Sequence, residues 1–376
     1  MANKKKKVRV RFRKNCQVRT RKTGLTREFA EHGFAEDDSV RNERLSGKGD
    51  LSRKRTVVGD SVTGDDGGFS VIPEVDPAAC LEGRVLEVKG LISRVRTRDG
   101  RVYQCAVRRL LKTLSTDQRH IVAAGDRVQF RPDGDEGLIQ RVEQRTSVLS
   151  RTSRRQQHVL VANVDQVLVV ASVAEPGLKP HLIDRFLVAA DQVGIEPIIC
   201  INKIDLIDPG PLQPLVGVFC QMGYEVLQVS ATTGFNIELL KSRLSDRESV
   251  VVGQSGVGKS SLLNAIEPGL ELRTAEVSGE TQKGRHTTTT AKLLALSFGG
   301  FIVDTPGIRQ FQLWDVTAEE VAGLFRDIRP FVDRCRFPNC THTHEDDCAV
   351  KASVADGRLD ARRYESYCHL RSDEQP

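Results

Sequence analysis

Val250-Val251-Val252-Gly253-Gln254-Ser255-Gly256-Val257-Gly258-Lys259-Ser260-Ser261 is the stretch on which the fold turns. Residues 253–260 fit the pattern G-x-x-x-x-G-K-[ST]. The three valines read as a buried strand that ends at the loop, and Ser261 to Ile266 opens a helical pattern. Glycines let successive N–H groups converge on phosphate oxygens. The helix N-terminus adds a partial positive charge at the same point. Lys259 is then placed to reach the β- and γ-phosphates and to act in catalysis, and the Ser260 hydroxyl to bind Mg2+. Gly253, Gln254, Ser255, Gly256, Val257, Gly258, Lys259, Ser260 and Ser261 are the candidate nucleotide contacts. The alternative is a plain glycine-rich turn.

Working outward, the flanking chain alternates strand and helix. Strand-like runs fall at Val164 to Val170, Pro197 to Ile201, Tyr224 to Val229, Ser249 to Val252 and Phe301 to Val303, and Asp184 to Val193 reads as a helix. Such alternation predicts a parallel sheet covered on both faces. Asp304-Thr305-Pro306-Gly307 follows the last strand. A carboxylate at that strand end can hold the magnesium shell, and Gly307 would let its N–H approach a γ-phosphate.

Asn202-Lys203-Ile204-Asp205 lies just after a strand of the same sheet. Asp205 can accept two hydrogen bonds from guanine, at N1–H and the exocyclic amine. Adenine offers neither donor, so a buried carboxylate facing it would discriminate by a factor on the order of 10⁴. Asn202 would contact N7, and Lys203 would lie along the base. Ser230-Ala231, after the Tyr224 to Val229 strand, is positioned to give a backbone N–H to O6. The expected ligand is therefore GTP or GDP.

No stretch approaches the roughly 18 apolar residues needed to span a membrane, and no apolar segment follows the charged N-terminus. The expectation is a cytoplasmic protein with no membrane partner, and a monomer. The net charge of +6 is unevenly spread. Residues 1–27 hold twelve Lys or Arg and no acid. The first 60 residues carry a net +10, which leaves about −4 for the rest. A basic tail of this kind suits RNA, because each neutralised phosphate releases counterions; a solvated arm without a partner is the other reading. Residues 1–76, rich in charge, Gly and Ser, are expected to be a mostly disordered extension. In residues 77–150, short strand-like runs around Val85, Val95 and Val107, with an Asp99-Gly100 hairpin turn, predict a small β-barrel. An OB-like barrel is preferred, with an SH3-like barrel not separable by sequence. Residues 151–314 form the expected α/β nucleotide domain, and 315–376 a helical C-terminal one.

Nine cysteines, an odd number with no export signal, argue against a disulfide framework. Four of them lie between Cys335 and Cys368. Cys335, Cys340, His342 and Cys348 give C-x4-C-x-H-x5-C. Three thiolates and one imidazole make a closed tetrahedral site for a structural Zn2+, with no open position for catalysis. His344, Cys368 and His369 are spare candidates.

The order of motifs is unusual. The base readers at 202 and 230 precede the phosphate loop at 253, so the domain is circularly permuted, which is tolerable where chain ends lie close together. With N-K-I-D, G-Q-S-G-V-G-K-S, G-R-H-T-T-T, D-T-P-G and the Cys/His cluster in that order, residues 78–370 closely resemble the ribosome small-subunit-dependent GTPase A family. The resemblance implies an OB-like barrel, a permuted P-loop GTPase domain and a zinc domain. It further implies binding to the small ribosomal subunit and its rRNA in late maturation. Ile308 stands where many GTPases carry a water-orienting Gln. Gly284-Arg285-His286-Thr287-Thr288-Thr289 looks like the first switch. Thr288 or Thr289 would complete the magnesium shell, and His286 is the candidate for positioning water; its other reading is a loop histidine facing RNA or solvent. Slow intrinsic turnover, raised by the ribosome, is expected. Two other functions stay open: a GTPase acting on a different RNA, and an RNA-binding module that holds GTP only as a structural ligand.

Overall fold

The computed structural model describes residues 7–11, 54–61, 71–73, 75–76, 78–108, 111, 121–153, 156–270, 272, 291–304 and 319–373. In the segment expected to be mostly disordered, three strands are described: β1 (Lys7–Arg11), β2 (Lys54–Ser61) and β3 (Val71–Pro73). They form an antiparallel sheet in the order β1-β2-β3. The alternation in Lys7-Val8-Arg9-Val10-Arg11 is a period-2 pattern, a local strand signal that bulk composition hides.

Five strands close the barrel: β4 (Leu81–Lys89), β5 (Ile92–Thr97), β6 (Val102–Val107), β7 (Arg127–Asp133) and β8 (Glu136–Val142). They run in the order β4-β5-β6-β8-β7, and β7 pairs back onto β4. The β6–β8 pair is parallel and the rest antiparallel. This order, with one parallel pair closing a five-stranded ring, is the OB arrangement and decides against the SH3-like alternative. Val85, Val95, Tyr103, Cys105, Phe130 and Ile139 fill the interior. The Asp99-Gly100 turn is where the sequence placed it, closed by a 2.9 Å bond from Thr97 N–H to the Arg101 carbonyl. A hairpin, β9 (Val148–Ser153) and β10 (Gln156–Ala162), lies across the expected boundary at 150. Its Leu149 and Val161 enter the core of the following α/β unit.

The α/β sheet comprises β11 (Gln166–Ser172), β12 (Glu196–Asn202), β13 (Glu225–Gln228), β14 (Glu248–Val252), β15 (Lys292–Ala295) and β16 (Phe301–Asp304). Its order is β13-β12-β11-β14-β16-β15, parallel except for β15. Helices α1 (Pro180–Gln192), α2 (Gln213–Gln221), α3 (Ile237–Leu244) and α4 (Lys259–Ile266) connect its strands. β11 is buried along its whole length, as its unbroken apolar run requires of a central parallel strand. The helix read from Asp184 starts earlier because Pro180, with φ preset and no N–H to lose, occupies its first turn. β15 also pairs with barrel strand β4 through Lys292 and Glu87, so barrel and sheet are continuous.

The C-terminal unit holds α5 (Val321–Leu324), α6 (Arg329–Val332), α7 (Ala349–Ala355) and α8 (Ala361–Asp373). Phe325, Ile328, Val350, Leu359 and Tyr367 make its core, and Val188 from α1 packs into it. Among the described residues no helix is long and apolar enough to cross a membrane.

Candidate nucleotide and metal sites

The loop after β14 and the segments after β12 and β13 all leave the sheet at its C-terminal edge, where ligands of open α/β sheets bind. Gly253 has φ +143°, and a Cβ there would lie 2.1 Å from the Val170 carbonyl oxygen. Only glycine lets the chain turn this close to β11. Lys259, at the start of α4, donates to the carbonyls of Gly253 at 2.8 Å and Gln254 at 2.7 Å. The lysine thus spans the mouth of the loop. Ser260 is half-buried in the first turn of α4 and Ser261 is exposed.

Asn202, the last residue of β12, is 1% exposed. Its Nδ2 donates to the Val257 carbonyl at 3.0 Å, and its Oδ1 accepts from the Ala231 N–H at 3.2 Å. One amide therefore ties together the three segments that the sequence assigned to one nucleotide. Lys203 has φ +63° and its Nζ donates to the Glu175 carbonyl, and its Cε lies 3.8 Å from where a Cβ on Gly258 of the phosphate loop would stand. Ile204 is buried, and its N–H bonds the Val229 carbonyl. That anchors a 3₁₀ turn, Ile204–Leu206, which holds Asp205 exposed. The Ser230 N–H closes onto the Phe235 carbonyl at 3.1 Å, and Ser230 Oγ accepts from the Thr233 N–H at 3.1 Å. The first N–H expected to face O6 is thus used in shaping the loop, and that of Ala231 is shared with Asn202.

Asp304 ends β16, which runs parallel to β14 with Val303 opposite Val250. The strand end therefore arrives beside the phosphate loop. His286, Thr288, Thr289 and Thr305 to Ile308 lie outside the described residues.

In the C-terminal unit, Cys335, Cys340, His342 and Cys348 bring their ligand atoms within 4.8 Å of one another. Cys335 Sγ lies 3.8 Å from Cys348 Sγ, and His342 Nδ1 lies 3.3 and 3.5 Å from these two sulfurs. A tetrahedron with Zn–S bonds of about 2.3 Å has edges of about 3.7 Å, so the donor set and its spacing fit zinc. The cluster can hold a metal ion. Burial pushes the Cys340 thiol up to about 12, aggravated by its two thiol neighbours; a dication reverses that preference. Burial lowers His342, which favours the neutral imidazole that ligates. His344 points to solvent, and Cys368 and His369 sit on α8 outside the cluster.

The bracing around this loop carried no sequence signal. Tyr364 and Tyr367 on α8 donate to the carbonyls of His342 at 2.8 Å and Thr341 at 2.7 Å. Glu345 accepts from the Thr341 N–H at 2.6 Å and the Thr343 N–H at 3.1 Å. Although burial works against its charge, these bonds hold the Glu345 carboxyl well below the usual range. The loop needs such support because His342 sits at φ +60°.

Comparison with known proteins agrees with this geometry. The RsgA GTPase family profile matches residues 142–314. A Chlorobaculum parvum protein named small ribosomal subunit biogenesis GTPase RsgA is 41% identical over 303 residues, covering 77% of this chain and 97% of its own length. The chain belongs to the RsgA GTPase family. It is a GTP-hydrolysing enzyme. A Gemmatimonas aurantiaca protein of the same name is 42% identical over 297 residues, 96% of its length. The crystal structure of YjeQ from Thermotoga maritima matches with a TM-score of 0.64 at 36% identity, over 78% of this chain and 98% of that one. That of YloQ, a circularly permuted GTPase, matches at 0.62 and 30% identity, over 81% and 99%. The chain thus combines an OB barrel, a permuted P-loop GTPase domain, and a helical unit with a Cys/His cluster that can hold a metal ion.

Proposed function

We propose that the chain hydrolyses GTP as a timed step in late maturation of the small ribosomal subunit, in the cytoplasm and as a monomer. The Asn202 amide, bonded to both the phosphate loop and the 230–231 loop, is the observation that carries the nucleotide reading. The relatives' printed name, small ribosomal subunit biogenesis GTPase, supports the target. The rRNA would be held by the barrel, the zinc unit and the basic residues of the 1–76 extension.

In this reading Asp205 accepts from guanine N1–H and the exocyclic amine. The second Nδ2 hydrogen of Asn202 faces N7, and the Lys203 stem covers the base. The N–H groups of residues 254–261 surround the α- and β-phosphates. The Lys259 ammonium exchanges its two loop carbonyls for β- and γ-phosphate oxygens, charge-assisted partners that are stronger. Ser260, Asp304 and Thr288 or Thr289 would hold Mg2+, which when bound neutralises charge between the β- and γ-phosphates. His286 orients the attacking water, because Ile308 has no polar atom to do so. Cys335, Cys340, His342 and Cys348 hold a structural Zn2+.

The test is sedimentation with purified small subunits in GDP or a non-hydrolysable GTP analogue, alongside multiple-turnover assays. Binding with the analogue alone, and turnover that rises on adding subunits, are expected. Lys259→Ala abolishes hydrolysis. Equal binding in both nucleotides, with no rise in turnover, overturns the reading in favour of a module that uses GTP as a structural ligand.

A further inference from the structure

Between the end of β11 and the start of α1 the chain passes along the phosphate loop in seven residues, Val173 to Lys179. Both ends of this segment are fixed. The Val173 N–H donates to the Asn202 carbonyl at 3.2 Å. Pro180 opens α1, which Asp184 and Asp191 fasten to the C-terminal unit. The segment is therefore a strap anchored on the base-reading strand at one end and on a packed helix at the other.

Three contacts join the strap to the nucleotide site. The Glu175 carbonyl accepts from Lys203 Nζ. Pro176 lies over the phosphate loop: a Cβ on Gly256 would stand 3.4 Å from its Cδ. Gly177 and Lys179 line a cavity of about 20 Å³ together with Gln254 and Val257 of the loop. The Lys203 stem thus runs from beside Gly258 to Glu175, while the next residue, Pro176, rests on Gly256. Lysine, strap and loop brace one another.

The backbone of the strap is strained where it meets the lysine. Glu175 stands at φ +49°, a left-handed conformation that is unfavourable for a residue with a Cβ. Gly177, which could adopt it freely, sits two residues on in open space and does not. A chain that had only to join β11 to α1 would put its glycine at the left-handed position. Such strain clusters at ligand clamps, where the surrounding structure enforces it, and here it falls on the residue whose carbonyl takes the ammonium. A lysine stem is long and loses much rotamer freedom when fixed. A carbonyl that holds the ammonium before nucleotide arrives removes that cost from binding. We propose that Glu175, through its backbone carbonyl, and Pro176, through its ring, are positioning residues for the guanine nucleotide. They hold the Lys203 stem where the base lies and support the phosphate loop at Gly256. The proposal rests on Lys203 covering the base.

The test reads release of fluorescent GDP and steady-state GTP hydrolysis in the full chain, with a thermal melt of each variant. Pro176→Gly removes the ring and loosens the Glu175 carbonyl. It should speed GDP release at least about tenfold and raise KM by a like factor while kcat stays within about twofold of native, the pattern of lost uniform binding. Pro176→Ala is read beside it should the glycine variant melt early. Lys203→Met keeps the stem and removes the ammonium. The Lys203→Met/Pro176→Gly double variant should release GDP no more than about twice as fast as the faster single variant, because both changes break one tie. Glu175→Asn, which tolerates the left-handed backbone, should hold GDP like the native chain, and Glu175→Val, β-branched and ill suited to it, should not. Unchanged release in the Pro176 variants, effects that multiply in the double variant, or Glu175→Asn as weak as Glu175→Val overturns the proposal. The native chain controls for the reading beneath: if GTP displaces the label and ATP does not, the guanine site stands whatever the strap variants do.

Discussion

Gly258 makes room for Asn202: a Cβ on Gly258 would stand 2.5 Å from the Asn202 Nδ2 atom, although 55 residues separate the two. Gly258 also has φ +89°, a region that costs an L-residue about 1–2 kcal/mol. Gly258→Ala therefore strains the loop and pushes on the amide at once. The expected result is a loss of GTP and GDP affinity of at least about tenfold, with the fold kept. Fluorescent-nucleotide titration beside a thermal melt checks it. Unchanged affinity would mean that the loop does not need this approach.

Removing the amide tests the same contact from the other side. In Asn202→Ala, the buried Val257 carbonyl and the Ala231 N–H both lose their partner. Each unmatched group costs about 1–3 kcal/mol, so affinity should fall by roughly ten- to a hundredfold. Asn202→Asp should be at least as damaging. It keeps an acceptor for Ala231 but sets a carboxylate oxygen against the Val257 carbonyl. Equilibrium binding of both variants to GDP decides the order.

These contacts also show where sequence stops being informative. The phosphate-loop pattern, the Asn202–Asp205 tetrapeptide and the Cys/His cluster stand out in the sequence because the chemistry proposed for each demands particular residue types at short spacing. The barrel's strands were legible from turns and alternation, but its closure was not. Pairing Val107 with Ile139 in parallel is a long-range event with no local signature. Hairpin β9–β10 was missed because its polar residues 150–157 look like a linker. Arg363 was invisible because its partners, Asp184 and Asp327, lie 179 and 36 residues away. Tyr364 and Tyr367 look like ordinary helix residues until the loop that carries Thr341 and His342 is laid over them.

In the proposed function, guanine selection rests on the carboxylate of Asp205, which is exposed. Asp205→Asn replaces one acceptor by an amide donor. An amide repels the guanine amine and N1–H but can donate to the C2 carbonyl of xanthine. GTP hydrolysis should fall at least a hundredfold at fixed, subsaturating nucleotide, while xanthosine triphosphate becomes a substrate. Competition assays with GTP, ATP and xanthosine triphosphate read this out. If ATP competes as well as GTP with the native chain, Asp205 is not the base reader.

The metal cluster sets a pH limit. Without metal, the Cys340 thiol holds its proton up to about 12, so zinc must displace thiol protons, and affinity falls steeply on acidification. His342, lowered by burial, stays neutral below its ordinary pKa and is not the first ligand to fail. Glu345 is depressed in the folded state. Its contribution is fully present above about pH 4.3, the unfolded value, and is lost as pH falls through the lower folded one. Zinc release, followed with an indicator dye, should therefore begin between pH 7 and 5, while Glu345 is still charged. Glu345→Gln weakens its two bonds to the loop and should move release to higher pH. Release at the same pH in both proteins would show that the carboxylate does not brace the site.

Two arginines fasten the C-terminal unit to α1, and their burial separates their effects. Arg363 is 2% exposed, bonds both oxygens of Asp327 at 3.0 Å, pairs with Asp184 on α1, and stacks 4.6 Å from the Phe325 ring centroid. Arg326 bonds both oxygens of Asp191 at 2.9 and 2.6 Å and lies 4.1 Å from the Tyr224 ring centroid, but its side chain is 33% exposed. Water screens the second pair, so Arg326→Ala should cost about 1 kcal/mol. Arg363→Leu strands two carboxylates beneath the packed helices and should cost about 3–5 kcal/mol. Replacing Asp184 and Asp327 by Leu as well removes the stranded charges and should restore much of the loss. Chemical denaturation of the zinc-loaded protein measures all three. A single Arg363→Leu variant as stable as the native chain would show that the buried triad does not hold the unit in place.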